Sequence, residues 1–252
     1  MDTNVIYNED CLEGMKRIPD NSIDMILADL PYGTTACKWD TIIPFEPLWE
    51  QYERVIKDNG AIILTASQPF TSALVMSNVK MFKYEWVWIK TKPTGFLNAK
   101  KQPLRTYEDI CVFYNKQSLY NPQGIKSTDK LVSRTNRGNY GECSKTTRQT
   151  VTNYPRNILE FPSIDGLHPT QKPVKLFEYL IKTYTNEGHI VLDNVIGSGT
   201  TAIACLKTNR KFIGFELEEK YYNIALERIG KFDKKYYDKL TEEEKPNQTQ
   251  LF

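Results

Sequence analysis

The run Ile23-Asp24-Met25-Ile26-Leu27-Ala28 carries one charge and stops abruptly at Asp29-Leu30-Pro31-Tyr32. A strand this apolar needs cover on both faces, which is the condition of a parallel sheet between two layers of helix. The chain supplies the other strands and the layers. Val5–Tyr7 and Ala61–Thr65 read as short strands, Phe45–Lys57 and Pro69–Ser77 as helices, with Asn59-Gly60 as a helix stop. Tyr84–Ile89 and Asp109–Tyr114 read as strands. Later come a helix over Val174–Tyr184, a strand over His189–Leu192, a helix over Thr200–Lys207, a strand over Phe212–Phe215 and a helix over Lys220–Ile229. The expected fold is α/β: a doubly wound, mostly parallel, Rossmann-like sheet. Its core spans 1–115 and 164–230, with an insertion over 116–163 and a charged tail over 231–252.

Between Asn115 and Ser163 the periodicity dissolves into Ser, Thr, Asn, Arg and Gly, and no regular element is expected there. From Lys116 to Glu160 eight basic residues face three acidic ones, and Lys90, Lys92, Lys100, Lys101 and Arg105 lie just before. The net charge of the whole chain is only +2, so its positive charge is gathered in the middle, the pattern of a polyanion binder. No apolar run approaches the roughly 20 residues that span a bilayer, and the N-terminus lacks the pattern of a signal peptide. Five scattered cysteines, none spaced as Cys-x-x-Cys, suggest neither a disulfide framework nor a zinc site. The expectation is a cytoplasmic protein with no membrane partner.

Two motifs bear chemistry. Asp193-Asn194-Val195-Ile196-Gly197-Ser198-Gly199-Thr200-Thr201 joins a strand to a helix, and its glycines let backbone approach a ligand at the helix N-terminus. Glu216 ends the next strand about 20 residues on, where an acidic side chain grips ribose hydroxyls. The third glycine or alanine of the dinucleotide fingerprint is missing. A nucleotide-dependent dehydrogenase would explain this loop but leaves the second motif, Asp29-Leu30-Pro31-Tyr32, unexplained.

With the tetrapeptide before the glycine loop, the chain resembles the DNA amino-methyltransferases of permuted motif order, whose tetrapeptide reads Asp/Asn/Ser-Pro-Pro-Tyr/Phe. Leu30 replaces the first proline, keeping the backbone carbonyl and losing the rigid ring. His168-Pro169-Thr170-Gln171-Lys172-Pro173, Asn8-Glu9-Asp10-Cys11 and Thr106-Tyr107-Glu108-Asp109 are also similar to family segments in the family's order. The resemblance implies S-adenosylmethionine as cofactor, with Asp10 and Cys11 at its adenine and Thr170 and Lys172 at its methionine end. Asp29, Asp193, Gly197, Ser198, Gly199, Thr200, Thr201 and Glu216 complete that set.

It further implies double-stranded DNA as substrate and the insertion as a target-recognition region, with Lys126, Arg134, Arg137, Arg148 and Arg156 as DNA contacts. Adenine N6 is a poor nucleophile because its lone pair is delocalised into the ring. Asp29 and the Leu30 carbonyl would accept its two N–H groups, Pro31 would fix the turn and Tyr32 would stack on the flipped base. The sulfonium donor is already activated, so in-line transfer demands no metal. Asp in first place favours adenine N6; cytosine N4 is the alternative, and RNA or a catalytically inactive DNA-binding module are further ones. The family also implies a homodimer and a restriction-modification role in a bacterial, phage or mobile-element host. Gln248-Thr249-Gln250-Leu251-Phe252 resembles the pentapeptide that docks on bacterial sliding clamps.

Overall fold

The computed structural model describes residues 1–33, 40–136, 143–163 and 171–232, and within these the side chains of 134–136 and 143–145 are not described. The elements run β1 (Val5–Asn8), α1 (Cys11–Met15), β2 (Ile23–Ala28), α2 (Phe45–Val55), β3 (Ile56–Ala66), α3 (Phe70–Ser77), β4 (Phe82–Thr94) and β5 (Arg105–Phe113). They continue with β6 (Lys126–Asn136), β7 (Cys143–Thr152), β8 (Ile158–Glu160), α4 (Val174–Tyr184), β9 (Ile190–Asp193), α5 (Thr200–Lys207), β10 (Lys211–Glu216) and α6 (Glu219–Phe232). By contact density the chain divides into a unit of Met1–Tyr120 with Asn157–Phe252 and a smaller unit of Asn121–Arg156.

The larger unit is built on an eight-stranded sheet in the order β1-β10-β9-β2-β3-β5-β4-β8. All neighbours are parallel except β5, which runs against both β3 and β4. Every residue of β2 is buried, and their alternation splits the core in two. Met25 and Leu27 join Leu176, Phe177, Ala202, Ala225 and Ile229 on the face covered by α4, α5 and α6. Ile26 and Ala28 join Met15, Leu48, Tyr52, Phe70 and Leu74 on the face covered by α1, α2 and α3. Each such Ile or Leu contributes roughly 1.5–3 kcal/mol by leaving water, so both helical layers are anchored by the same central strands. The doubly wound, mostly parallel sheet expected from the sequence is what forms.

Two local expectations are corrected. Asn59-Gly60 does not stop a helix: α2 ends at Val55, and Ile56 already pairs with Ile23 as β3 begins. The stretch expected to lack regular structure contains an antiparallel ribbon, β6 with β7, running from Lys126↔Thr152 to Asn136↔Cys143. Its described side chains are mostly exposed on both faces, so no alternation of apolar and polar residues betrays it in the sequence. Among the described residues no helix is long and apolar enough to cross a membrane.

Candidate functional site

Because β1, β10, β9, β2 and β3 are parallel, the loops leaving their carboxyl ends meet at one edge. There they line a cleft of about 780 Å³, within the range of small-molecule sites. Asp10, Asp29, Tyr32, Asp193, Gly197 and Glu216 all face it.

The glycine loop forms its floor. Gly197 (φ 54°) and Gly199 (φ 81°) are both left-handed, and Gly199 caps the N-terminus of α5. A Cβ on Gly199 would stand 3.1 Å from that of Ala225, so glycine there also lets α6 pack close. The buried Asp193 carboxylate braces the loop, accepting from the Val195 N–H at 3.1 Å and from the Thr201 hydroxyl. Burial, with Asp29 and Glu216 adding repulsion, pushes Asp193 up to about 7. Glu216 accepts from the Gly197 and Glu218 N–H groups, 2.9 Å each, and burial raises its pKa. Arg228 of α6 donates to the Ser198 carbonyl (2.5 Å) and hydroxyl (2.9 Å), and the Ser198 hydroxyl reaches Gln171 at 3.3 Å. Thr200 turns its hydroxyl to the Lys172 carbonyl.

The tetrapeptide lines the same cleft from the end of the neighbouring strand β2. Leu30 is buried in the core, which ties the turn to the sheet. Asp29 Oδ1 accepts from the Tyr32 hydroxyl (2.9 Å) and from Thr65 at the end of β3. Asp29 Oδ2 is held by Lys172 Nζ at 2.6 Å. Lys172 also lies 3.2 Å from Glu108, and Glu108 lies 3.1 Å from Lys90. These four groups form an alternating chain of charge in which the lysines are nearly dry, the side chains of Lys172 and Lys90 being 5% and 8% exposed. Burial alone would favour neutral lysine, but Asp29 and Glu108 outweigh it and raise the pKa of Lys172. Burial opposes ionisation of Glu108 too, yet Lys172 and Lys90 hold it below the usual carboxylate range. The ring of Tyr32 stacks on Phe70 at 5.2 Å, and Lys172 Nζ stands 5.7 Å from its centroid. The Asp40 carboxylate accepts from the Gly33 N–H at 2.8 Å.

A family model described as DNA methylase matches residues 23–227, from β2 to α6, and so takes in both motifs. The chain belongs to the N6/N4 DNA methylase family. It is 30% identical to the DNA adenine methyltransferase YhdJ of Escherichia coli over 89% of this chain and 82% of that protein. It is 28% identical to the type II methyltransferase M.HpaI of Haemophilus parainfluenzae over 91% of this chain and 74% of that protein. Among solved structures, the M1.HpyAVI–SAM complex matches with a TM-score of 0.62 at 26% identity, covering 89% of this chain and 98% of that one.

In this methylase the residues singled out in the sequence fall into distinct groups. Asp29, Leu30, Pro31 and Tyr32 sit together at the cleft, as do Asp193, Gly197, Ser198, Thr200, Thr201 and Glu216, with Gly199 heading α5 beside them. Asp10 spends one carboxylate oxygen capping α1 through the Leu12 and Glu13 N–H groups. Cys11 is a buried thiol pushed up to about 11 by burial. Lys172, expected at a cofactor carboxylate, is engaged by Asp29 and Glu108 of its own chain. Tyr32, expected to stack on a base, has Phe70 against its ring.

Lys126, Arg148 and Arg156 belong to the smaller unit and are exposed, Arg148 making a bidentate pair with Asp129 at 2.7 Å. The Arg134 side chain, Arg137, Thr170, His168 and the Gln248–Phe252 tail lie outside the described residues. Thr65, Glu108, Lys90 and Arg228 were not among the expected site residues. Thr65 and Glu108 sit where strands enter the cleft edge, which is the signal that would have found them; Arg228 gives none in the sequence.

Proposed function

We propose that the chain transfers a methyl group from S-adenosylmethionine to N6 of adenine at a specific site in double-stranded DNA. The observation that carries this reading is the Asp29 carboxylate, fixed at the cleft by Tyr32, Thr65 and Lys172 and facing the glycine loop. When bound, the cofactor supplies an electrophilic methyl carbon on a sulfonium. The left-handed Gly197 and Gly199 and the cleft volume fit a nucleoside of that size. Glu216, pinned by two backbone N–H groups, keeps lone pairs for ribose hydroxyls, while Asp10 and Cys11 border the adenine end.

Oδ1 of Asp29 already accepts two hydrogen bonds, so Oδ2 is the atom with capacity for the target N–H. That bond and the Leu30 carbonyl draw the amino nitrogen toward a pyramidal shape, freeing its lone pair for in-line attack. Lys126, Arg148 and Arg156 of the smaller unit serve as phosphate contacts. Asp as the first tetrapeptide residue, and a relative named as an adenine methyltransferase, favour adenine over cytosine.

The test is expression in a bacterial host lacking DNA methylation, followed by base-resolved sequencing of its genome. N6-methyladenine recurring in one sequence context is the expected outcome. N4-methylcytosine instead would overturn the base assignment and leave the chemistry.

A further inference from the structure

The strands β4 and β5 outrun the sheet. Pairing of β3 with β5 ends at Ala66↔Asp109, whereas β4 and β5 go on pairing to Thr94↔Arg105. The segment Arg105–Glu108 therefore carries a two-stranded ribbon roughly 13 Å past the end of β3. The ribbon leaves the same edge as the catalytic loops, because β4 is parallel to β2 and β3. Its ladder shifts register between Ile89 and Thr94, five steps along β4 passing against two along β5. Lys92, Thr94 and Arg105 of the ribbon line the cleft.

At the tip, the left-handed Gly95 leads into a short 3-10 turn, Phe96–Asn98, with Phe96 66% exposed and Leu97 fully exposed. Two adjacent large apolar side chains in water are an unfavourable arrangement in the free protein. Around them the chain from Ile89 to Tyr107 has, besides Lys90, which is buried against Glu108, four basic residues, Lys92, Lys100, Lys101 and Arg105, and no acidic one. An apolar point on a cationic ribbon beside the cleft of a DNA methylase fits a polyanion with an apolar interior reachable between its rungs, duplex DNA.

We infer that Leu97, backed by Phe96, is a wedge that enters the base stack beside the target and holds the duplex open while the target base occupies the cleft. The inference rests on the DNA-methylation reading given above. Lys100 and Lys101 hold the flanking phosphates. The wedge acts on duplex opening and touches no reacting atom, so it is needed only where the target base starts out paired and stacked.

The test uses the full chain and a duplex carrying the sequence found methylated in cells, with the target base either correctly paired or opposite a mismatch. Leu97→Ala should lower kcat/KM about ten-fold on the paired duplex and less than about two-fold on the mismatched one. Leu97→Phe should restore most of the loss, since it is again a large apolar group. Leu97 is fully exposed among the described residues, so a thermal melt matching wild type accompanies each variant. Replacing Lys100 and Lys101 by alanine should weaken both duplexes alike and flatten the salt dependence of binding by about two log units per log unit of salt. Equal losses on the two duplexes, or none, from Leu97→Ala with an active wild-type chain overturn the wedge alone. A wild-type chain that methylates neither duplex overturns the reading beneath it, and the wedge with it.

Discussion

Asp29 and Asp193 leave the carboxyl ends of neighbouring parallel strands and face one cleft, yet they are held in opposite ways. Asp193 is 3% exposed, satisfied by a backbone N–H and a hydroxyl, with no cation on it among the described residues. Asp29 is held by two hydroxyls and an ammonium, and that ammonium has a second carboxylate, Glu108, beside it. A carboxylate braced by rigid groups fixes a loop. One whose counter-ion has another partner within reach can exchange that counter-ion for an incoming N–H donor, and only this second arrangement suits an acceptor for a substrate amine.

Substitutions sharpen the contrast in order of expected size. Asp29→Ala should cost about 10³-fold in methyl transfer, the scale of losing one preorganised transition-state contact, with S-adenosylmethionine affinity measured by calorimetry little changed. If Asp29→Ala keeps its rate, the division of roles between the two aspartates collapses. Glu108→Ala leaves Lys90 and Lys172 buried with one carboxylate between them, and should destabilise the fold by roughly 3 kcal/mol in urea denaturation. A smaller loss than 1 kcal/mol would mean the charge chain is not closed as described.

Asp193 makes a prediction in pH. Its folded pKa lies above the unfolded one, so its contribution to stability is fully present below about 4 and is lost as pH rises through about 7. Asp193→Asn should flatten the decline in stability between those limits, read from denaturation midpoints across pH, whereas the wild-type slope persisting in the variant would contradict it. The smallest effect belongs to Arg228→Ala, which frees Ser198 and should weaken cofactor binding about ten-fold, near 1.4 kcal/mol, while kcat at saturating cofactor stays unchanged.

What could be read from the sequence was local. The apolar run of β2 and the glycine loop before α5 announce themselves within a few residues, and sheet, layers and strand-end motifs follow from them. Apart from Tyr32, the groups that hold Asp29 are not local: Thr65 comes from β3 and Lys172 from 143 positions away, and Glu108, which engages Lys172, comes from an antiparallel strand. Arg228 reaches Ser198 because α6 packs close over Gly199, a contact set by two glycine dihedrals and one alanine. The β6–β7 ribbon escaped because a strand wet on both faces has no alternating pattern.

The most direct test of the account is a crystal structure of the chain with a demethylated cofactor and a duplex bearing its target site. In that complex the target base should lie out of the stack, its amino nitrogen about 3 Å from Asp29, the cofactor sulfur beyond it on the glycine-loop side and Lys172 turned to Glu108. A target base left in the duplex, or seated away from Asp29 with the Lys172 pair intact, would contradict it.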